Sequence, residues 1–145
     1  MSAINKNIAK LLRQEIWNTG NFAIADEICA DDAVFHNNDP LAPDFGQGPQ
    51  ALKQLVTMYR AAFPDAHITI EDIVAEGNRV VIRWTGRGTH KGNLGRIAPT
   101  GKAVTVTGID LVRISKGKVQ ENWTNWDTLG MLQQLGVQQV AAAGA

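Results

Sequence analysis

Apolar residues return every third or fourth position at the start of the chain. Ile8, Leu11, Leu12 and Ile16 share one face of a helix predicted over Asn5 to Trp17, and Asn18-Thr19-Gly20-Asn21 ends it. A second, short helix over Phe22 to Cys29 groups Phe22, Ala25 and Ile28, and Asp31-Asp32 marks a turn into the extended run Ala33-Val34-Phe35-His36. Asn37 to Gln47 holds two Pro, two Asp, two Asn and a Gly, which favours irregular backbone and a surface loop placed as the rim or lid of an opening. The longest helical pattern begins at Pro49, a residue suited to a first helical position, and carries Leu52, Leu55, Val56, Tyr59, Ala62 and Phe63 before Pro64-Asp65 stops it.

Beyond Asp65 the period changes to that of strands. His67 to Ala75, Arg79 to Thr89, Ala103 to Ile114 and Lys118 to Asn125 are β-branched runs separated by glycine-bearing turns, and they read as consecutive antiparallel strands. Thr128 to Leu135 returns to helical spacing through Leu129, Leu132 and Leu135, closes at Gly136, and leaves residues 138–145 as an expected frayed tail. Helices followed by a meander predict one α+β domain over residues 1–145, with the helices on one face of an antiparallel sheet that curves around them. Val80, Ile82 and Trp84 mark one face of the second long strand; Val81, Arg83, Thr85, Arg87 and Thr89 mark the other. Neither face is fully polar, so one is expected to cover a pocket and the other to meet a second copy in a homodimer or higher homo-oligomer.

Charge and composition narrow the partners. Fourteen Lys and Arg balance fourteen Asp and Glu, which removes the attraction that nucleic acid or an anionic membrane requires. The single Cys29 forms no internal disulfide, and no Cys/His spacing suggests zinc. The amphipathic N-terminus has no apolar core of the kind a signal peptide carries, no run reaches the length of a membrane span, and the expected location is the cytoplasm. Gly86, Gly88, Gly92 and Gly95 lie within or after a strand rather than between strand and helix, which disfavours a phosphate loop. Ser2 and Ser115 sit at the terminus and in a turn, and neither is placed as a nucleophile. His36, His67 and His90 fall on different elements, and no metal site is expected from them.

The densest chemistry lies in Glu121-Asn122-Trp123-Thr124-Asn125-Trp126-Asp127. Trp123, Asn125 and Asp127 share strand parity, and a carboxylate among indoles loses hydration and holds its proton more firmly, which suits proton transfer near neutral pH. Asp127 also directly precedes Thr128-Leu129-Gly130, and spacing alone favours the reading of it as a helix cap. Asp110 interrupts the apolar strand between Ile109 and Leu111; it either serves a cavity by orienting substrate or tuning Asp127, or it points outward or pairs with Arg83 or Arg113. His36 stands where it could donate to a substrate oxygen or stabilise the loop that follows. Trp17, Tyr59 and Trp84 read as core or pocket wall.

The order of several short motifs goes further than any one of them. Trp17-Asn18-Thr19-Gly20-Asn21, Ala33-Val34-Phe35-His36-Asn37 and Ala62-Phe63-Pro64-Asp65 come first. Arg83 to His90, Pro99-Thr100-Gly101-Lys102 and Trp126-Asp127-Thr128-Leu129-Gly130 running on to Gly136 follow. Over roughly residues 5 to 137 the chain resembles the SnoaL-like polyketide cyclases of the NTF2-like superfamily.

The resemblance implies a cone in which a strongly bent sheet wraps N-terminal helices around a deep apolar pocket. It implies intramolecular aldol closure of a polyketide ester, or a related hydrophobic carbonyl compound, without metal or cofactor, and it places the family's acid/base aspartate at Asp127. Asp110 and His36 are then expected to support the chemistry, and Trp17, Asn37, Tyr59, Trp84, Trp123 and Asn125 to contact substrate. An isomerase or dehydratase on another carbonyl compound, and a noncatalytic binding protein, are the alternatives that a shared fold leaves open.

Overall fold

The computed structural model describes residues 2–137, so the expectation of a frayed tail over 138–145 lies outside the described residues. The N-terminal segment runs as α1 (Ser2–Lys10), a π-helical turn over Leu11–Glu15, and α2 (Ile16–Thr19), ended by Gly20 at a left-handed φ of 69°. A π turn widens the helix and changes which side chains face inward. Here Leu12 and Arg13 are both buried in that turn, followed by Ile16 and Trp17. Helix α3 (Ala23–Ile28) leads straight into strand β1 (Cys29–Asn37), so the turn expected at Asp31-Asp32 is instead part of an irregular strand start, with the register shifting between Cys29 and Val34.

Pro49 sits in the first turn of α4 (Gly48–Ala62), which buries Leu52, Val56 and Tyr59 against the rest of the core. Strands β2 (His67–Glu76), β3 (Arg79–Thr89), β4 (Ala103–Ser115) and β5 (Lys118–Trp126) form the antiparallel meander that the alternation predicts, and α5 (Thr128–Leu135) closes the chain. The sheet order is β1-β5-β4-β3-β2. β1 pairs with β5 in parallel, a pairing that needs a long crossover, supplied by α4 and the three strands between them. No helix is long and apolar enough to cross a membrane among the described residues.

Cross-strand register fixes which side chains meet. Trp84, Gly108 and Trp126 lie opposite one another on β3, β4 and β5, and Ile82, Asp110 and Thr124 form the next rank. This inner face packs on the helices; Val80, Ile82, Val112 and Asp110 are fully buried on it. Gly86, Gly88 and Gly108 also lie on it. A Cβ at Gly108 would stand 2.3 Å from Trp84 and 2.9 Å from Trp126, and one at Gly88 would stand 3.0 Å from Phe63. The missing side chains let large aromatic rings lie against the sheet.

Candidate functional site

A cavity opens between the inner face of the sheet, the N-terminal helices and α4. Its wall is mostly apolar, from Leu55, Phe63, Ile68, Val104, Val106 and Met131 among others. Trp17, Trp84, Tyr59 and Trp126 add aromatic surface; the Tyr59 ring meets Trp126 edge-on at 5.7 Å and lies 6.2 Å from Trp17.

Arg13 brings a cation into this apolar wall. Its Nε donates to Asp110 Oδ2 at 2.5 Å, and its Nη2 donates to Asp110 Oδ1 at 3.1 Å and to Thr124 Oγ1 at 3.3 Å. The guanidinium lies 4.8 Å from the Trp84 ring centre and 5.3 Å from that of Trp17, close enough for both ring faces to stabilise its charge. Asp110 has no solvent exposure and Arg13 retains 6%. Asp110 therefore faces inward with Arg13 as its partner. Its expected partners lie elsewhere: Arg83 pairs with Asp72 and Arg113 with Glu121.

Polar atoms remain free to meet a ligand. Among the described residues, Trp17 Nε1, Trp84 Nε1 and Asn37 Oδ1 are buried without a hydrogen-bond partner, and all three residues line the cavity. Buried polar groups are normally paired, so two unpaired donors and one acceptor beside a fixed cation mark a place for a ligand oxygen or amide-like group. Tyr59 donates its hydroxyl to Asp39 Oδ2, while Asp39 Oδ1 accepts from the Leu41 N–H at 2.8 Å. Burial first, and then the charge and hydrogen bond of Asp39, raise the Tyr59 phenol well above its ordinary range. The phenol is therefore a protonated donor at neutral pH.

A second cleft lies between β1, α4 and the loop after β1. Val34, His36, Ala42, Phe45 and Leu52 line it, and it shares Asn37 and Leu55 with the apolar cavity. The Asn37–Gln47 segment thus borders an opening, as its composition implies.

Asp127 stands apart from both spaces. It is exposed, caps α5 by accepting from the Gly130 N–H at 2.8 Å, and lines neither the cavity nor the cleft. The water-poor setting expected for it is absent, because the chain leaves the strand at Trp126 and residue 127 begins the next helix. Parity is the second correction. Thr124 and Trp126 face the cavity, whereas Asn125 is exposed and accepts from Asn38 at 3.0 Å, and Trp123 stacks on His36 with ring centres 5.1 Å apart. His36 is exposed too, 2.5 Å from Glu121 Oε2, and that contact is the chief reason the Glu121 carboxyl lies below its ordinary value. Trp17, Asn37, Tyr59 and Trp84 do converge on the cavity; Trp123, Asn125 and His36 do not.

Reasoning from sequence missed Arg13, Asp39, Thr124 and Trp126. Arg13 had a usable signal, since Ala9, Arg13 and Trp17 recur every four residues beside the apolar stripe. Asp39 had none, lying in a loop of exposed-looking composition. Burial pushes the Cys29 thiol up to about 12, which marks it as an inert core group. No group of three or more His, Cys, Asp or Glu side chains could hold a metal ion among the described residues.

Comparison with known proteins gives this geometry a context. A family model described as SnoaL-like polyketide cyclase matches residues 7–135. The chain is 31% identical over 128 residues to the aklanonic acid methyl ester cyclase DauD of Streptomyces sp. strain C5, covering 84% of this chain and 76% of that one. It is 33% identical over 91 residues to the aklanonic acid methyl ester cyclase DnrD of Streptomyces peucetius, a stretch spanning 62% of this chain and 63% of DnrD. Among solved structures, IdmH of Streptomyces antibioticus, a candidate polyketide cyclase, superposes with a TM-score of 0.79 at 31% identity, covering 92% of this chain and 99% of IdmH. The curved sheet wrapped around N-terminal helices is the NTF2-like arrangement of these proteins.

Proposed function

Since the chain belongs to the SnoaL-like polyketide cyclase family, we propose that it is a cytoplasmic, cofactor-independent cyclase that closes a ring in a polyketide ester by an intramolecular aldol reaction. The observation that carries this reading is the apolar cavity into whose wall the buried Asp110 fixes the Arg13 cation. A flat, hydrophobic polycarbonyl molecule suits such a wall. The free indole N–H groups of Trp17 and Trp84 and the Arg13 guanidinium provide donors for carbonyl oxygens, and Asn37 provides an acceptor.

A C–H between two carbonyls is acidic enough for a single protein base. Loss of that proton leaves an enolate, whose carbon attacks a carbonyl carbon elsewhere in the folded substrate. The resulting alkoxide takes a proton back, so the product is an isomer of the substrate. Negative charge develops first on the enolate oxygen and then on the alkoxide. A guanidinium already oriented by Asp110 and sheltered from water stabilises both without having to reorganise. Asp110 is a positioning residue in this scheme, and Asp127, capping α5 in solvent, takes no part.

The homodimer expected from the sequence is also proposed. The outer sheet face carries Val74 at 62% and Ile109 at 52% exposure, which a second copy would cover.

The test is incubation of the purified protein with polyketide β-keto esters, with determination of product structure because mass does not change. Formation of a cyclised isomer, lost in Arg13→Lys with binding retained, is the expected result. Saturable binding without any turnover across the series would make this a binding protein and overturn the reading.

A further inference from the structure

Asp39 is a buried carboxylate of a different kind from Asp110. It retains 6% exposure in a loop whose neighbours Asn38 and Pro40 are exposed, and it takes part in no ion pair among the described residues. A carboxylate withdrawn from water without a cation is costly unless hydrogen bonds or function hold it there. Its hydrogen bonds are two, from the Leu41 N–H and from the Tyr59 hydroxyl. Tyr59 is in turn the phenol of the cavity wall, buried and carrying an exchangeable proton, and its ring is held between Trp17 and Trp126.

We infer that Asp39 and Tyr59 form a proton relay into the apolar cavity, with Tyr59 meeting the substrate and Asp39 taking and returning the proton through it. The inference rests on the cyclase reading above and supplies the base that reading requires. In the first step the substrate C–H proton moves to Tyr59 Oη while the phenolic proton moves to Asp39 Oδ2, and the C–H electron pair becomes the enolate. After the carbon–carbon bond forms, the phenolic proton passes to the new alkoxide and Asp39 returns its proton to Tyr59. Protein and proton count are restored, and no oxidant or reductant is used. Arg13, on the same cavity, balances the enolate while Asp39 is neutral. The raised phenol of the resting protein is consistent with this order, because the proton begins on Tyr59.

Tyr59 is the chain's single tyrosine, so its ionisation can be read alone by ultraviolet difference absorbance. The probe is ethyl 2-naphthoylacetate, a β-keto ester with a flat apolar ring. Binding is read by quenching of tryptophan fluorescence, and proton removal by deuterium uptake from solvent at the carbon between its carbonyls, with the buffer rate subtracted. Asp39→Asn and Tyr59→Phe are each expected to slow protein-dependent exchange by about 10²-fold or more while probe affinity holds, in line with the usual contribution of a positioned acid or base. Asp39→Asn is also expected to move the tyrosine titration down, a sign that the pair existed. Tyr59→Phe fills the same space, so it decides the matter if Asp39→Asn folds poorly. Wild-type exchange above buffer with both variants unchanged would overturn the relay and leave the cyclase reading standing. Wild-type protein that binds the probe but exchanges it no faster than buffer would overturn both.

Discussion

Asp127 and Asp110 show how differently two carboxylates can be used in one small fold. Asp127 accepts from the Gly130 N–H at the start of α5, a contact that satisfies one of the helix's free donors and places negative charge at its positive end. Asp127→Ala is expected to cost about 1 kcal/mol in urea unfolding, while Asp127→Asn, which can still accept that bond, is expected to cost less. Neither should alter turnover; a loss of turnover in Asp127→Asn with stability intact would return this residue to the chemistry. Asp110 is the opposite case. Asp110→Asn leaves the Arg13 charge buried and unbalanced, so a loss of roughly 3–5 kcal/mol is expected, measured by the same unfolding experiment. Its interruption of an apolar strand was a readable sign of burial. The pairing itself was not readable, because Arg13 lies 97 residues away and only the folded sheet and helix bring the two together.

At the level of elements, the cavity depends on what the inner face of the sheet lacks. Gly108 stands between the indoles of Trp84 and Trp126, and a methyl there meets a rigid ring and a backbone-proximal carbon, neither of which can swing aside. Gly108→Ala is expected to destabilise by about 1–3 kcal/mol, the usual cost of overpacking, and to weaken probe binding by moving Trp84. A thermal melt and a fluorescence titration check the two halves separately. Asp65 offers a pH test of the join between the end of α4 and β3. It accepts from the Thr89 N–H at 2.7 Å and from the Thr89 hydroxyl at 2.8 Å, and chiefly the backbone bond holds its carboxyl below the ordinary value. A folded value below the unfolded one means stability that is present above the ordinary carboxylate range and lost as pH falls through the folded value. The melting difference between wild type and Asp65→Ala is therefore expected to be largest near neutrality and to shrink in acid. Element order was legible for a simple reason: local periodicity and turn residues specify strands and helices. Which side of β5 faces inward was not, since it follows from register against β4, where Gly108 meets Trp126 and Asp110 meets Thr124. The reading from sequence selected Trp123, Asn125 and Asp127, and the opposite parity lines the cavity.

For the molecule as a whole, the sheet separates two kinds of surface. Its inner face, with the helices, encloses the cavity; its outer face carries Arg83, Arg113 and Glu121 together with Val74 and Ile109, the last two largely open to solvent. The resemblance carried the cone and its pocket correctly over nearly the whole chain, because fold is set by the summed pattern of many positions. It carried Asp127 to a position whose surroundings depend on where β5 ends, which no single motif determines. The same separation of faces makes self-association testable without disturbing ligand binding. With fourteen basic and fourteen acidic residues the chain has no net charge to oppose pairing, and burying Ile109 and Val74 at an interface would remove apolar surface from water. Ile109→Lys places a charge at that position, and a charge buried in an interface without a partner is strongly disfavoured. Sedimentation equilibrium is expected to show a dimer for the wild type and a monomer for Ile109→Lys, with naphthoylacetate affinity the same in both, since residue 109 has the opposite strand parity to Val104 and Val106, the β4 residues that line the cavity. A wild-type monomer at all concentrations would show that the outer face is simply solvent-exposed sheet. Equal masses for a dimeric wild type and a dimeric Ile109→Lys would place the interface on another surface.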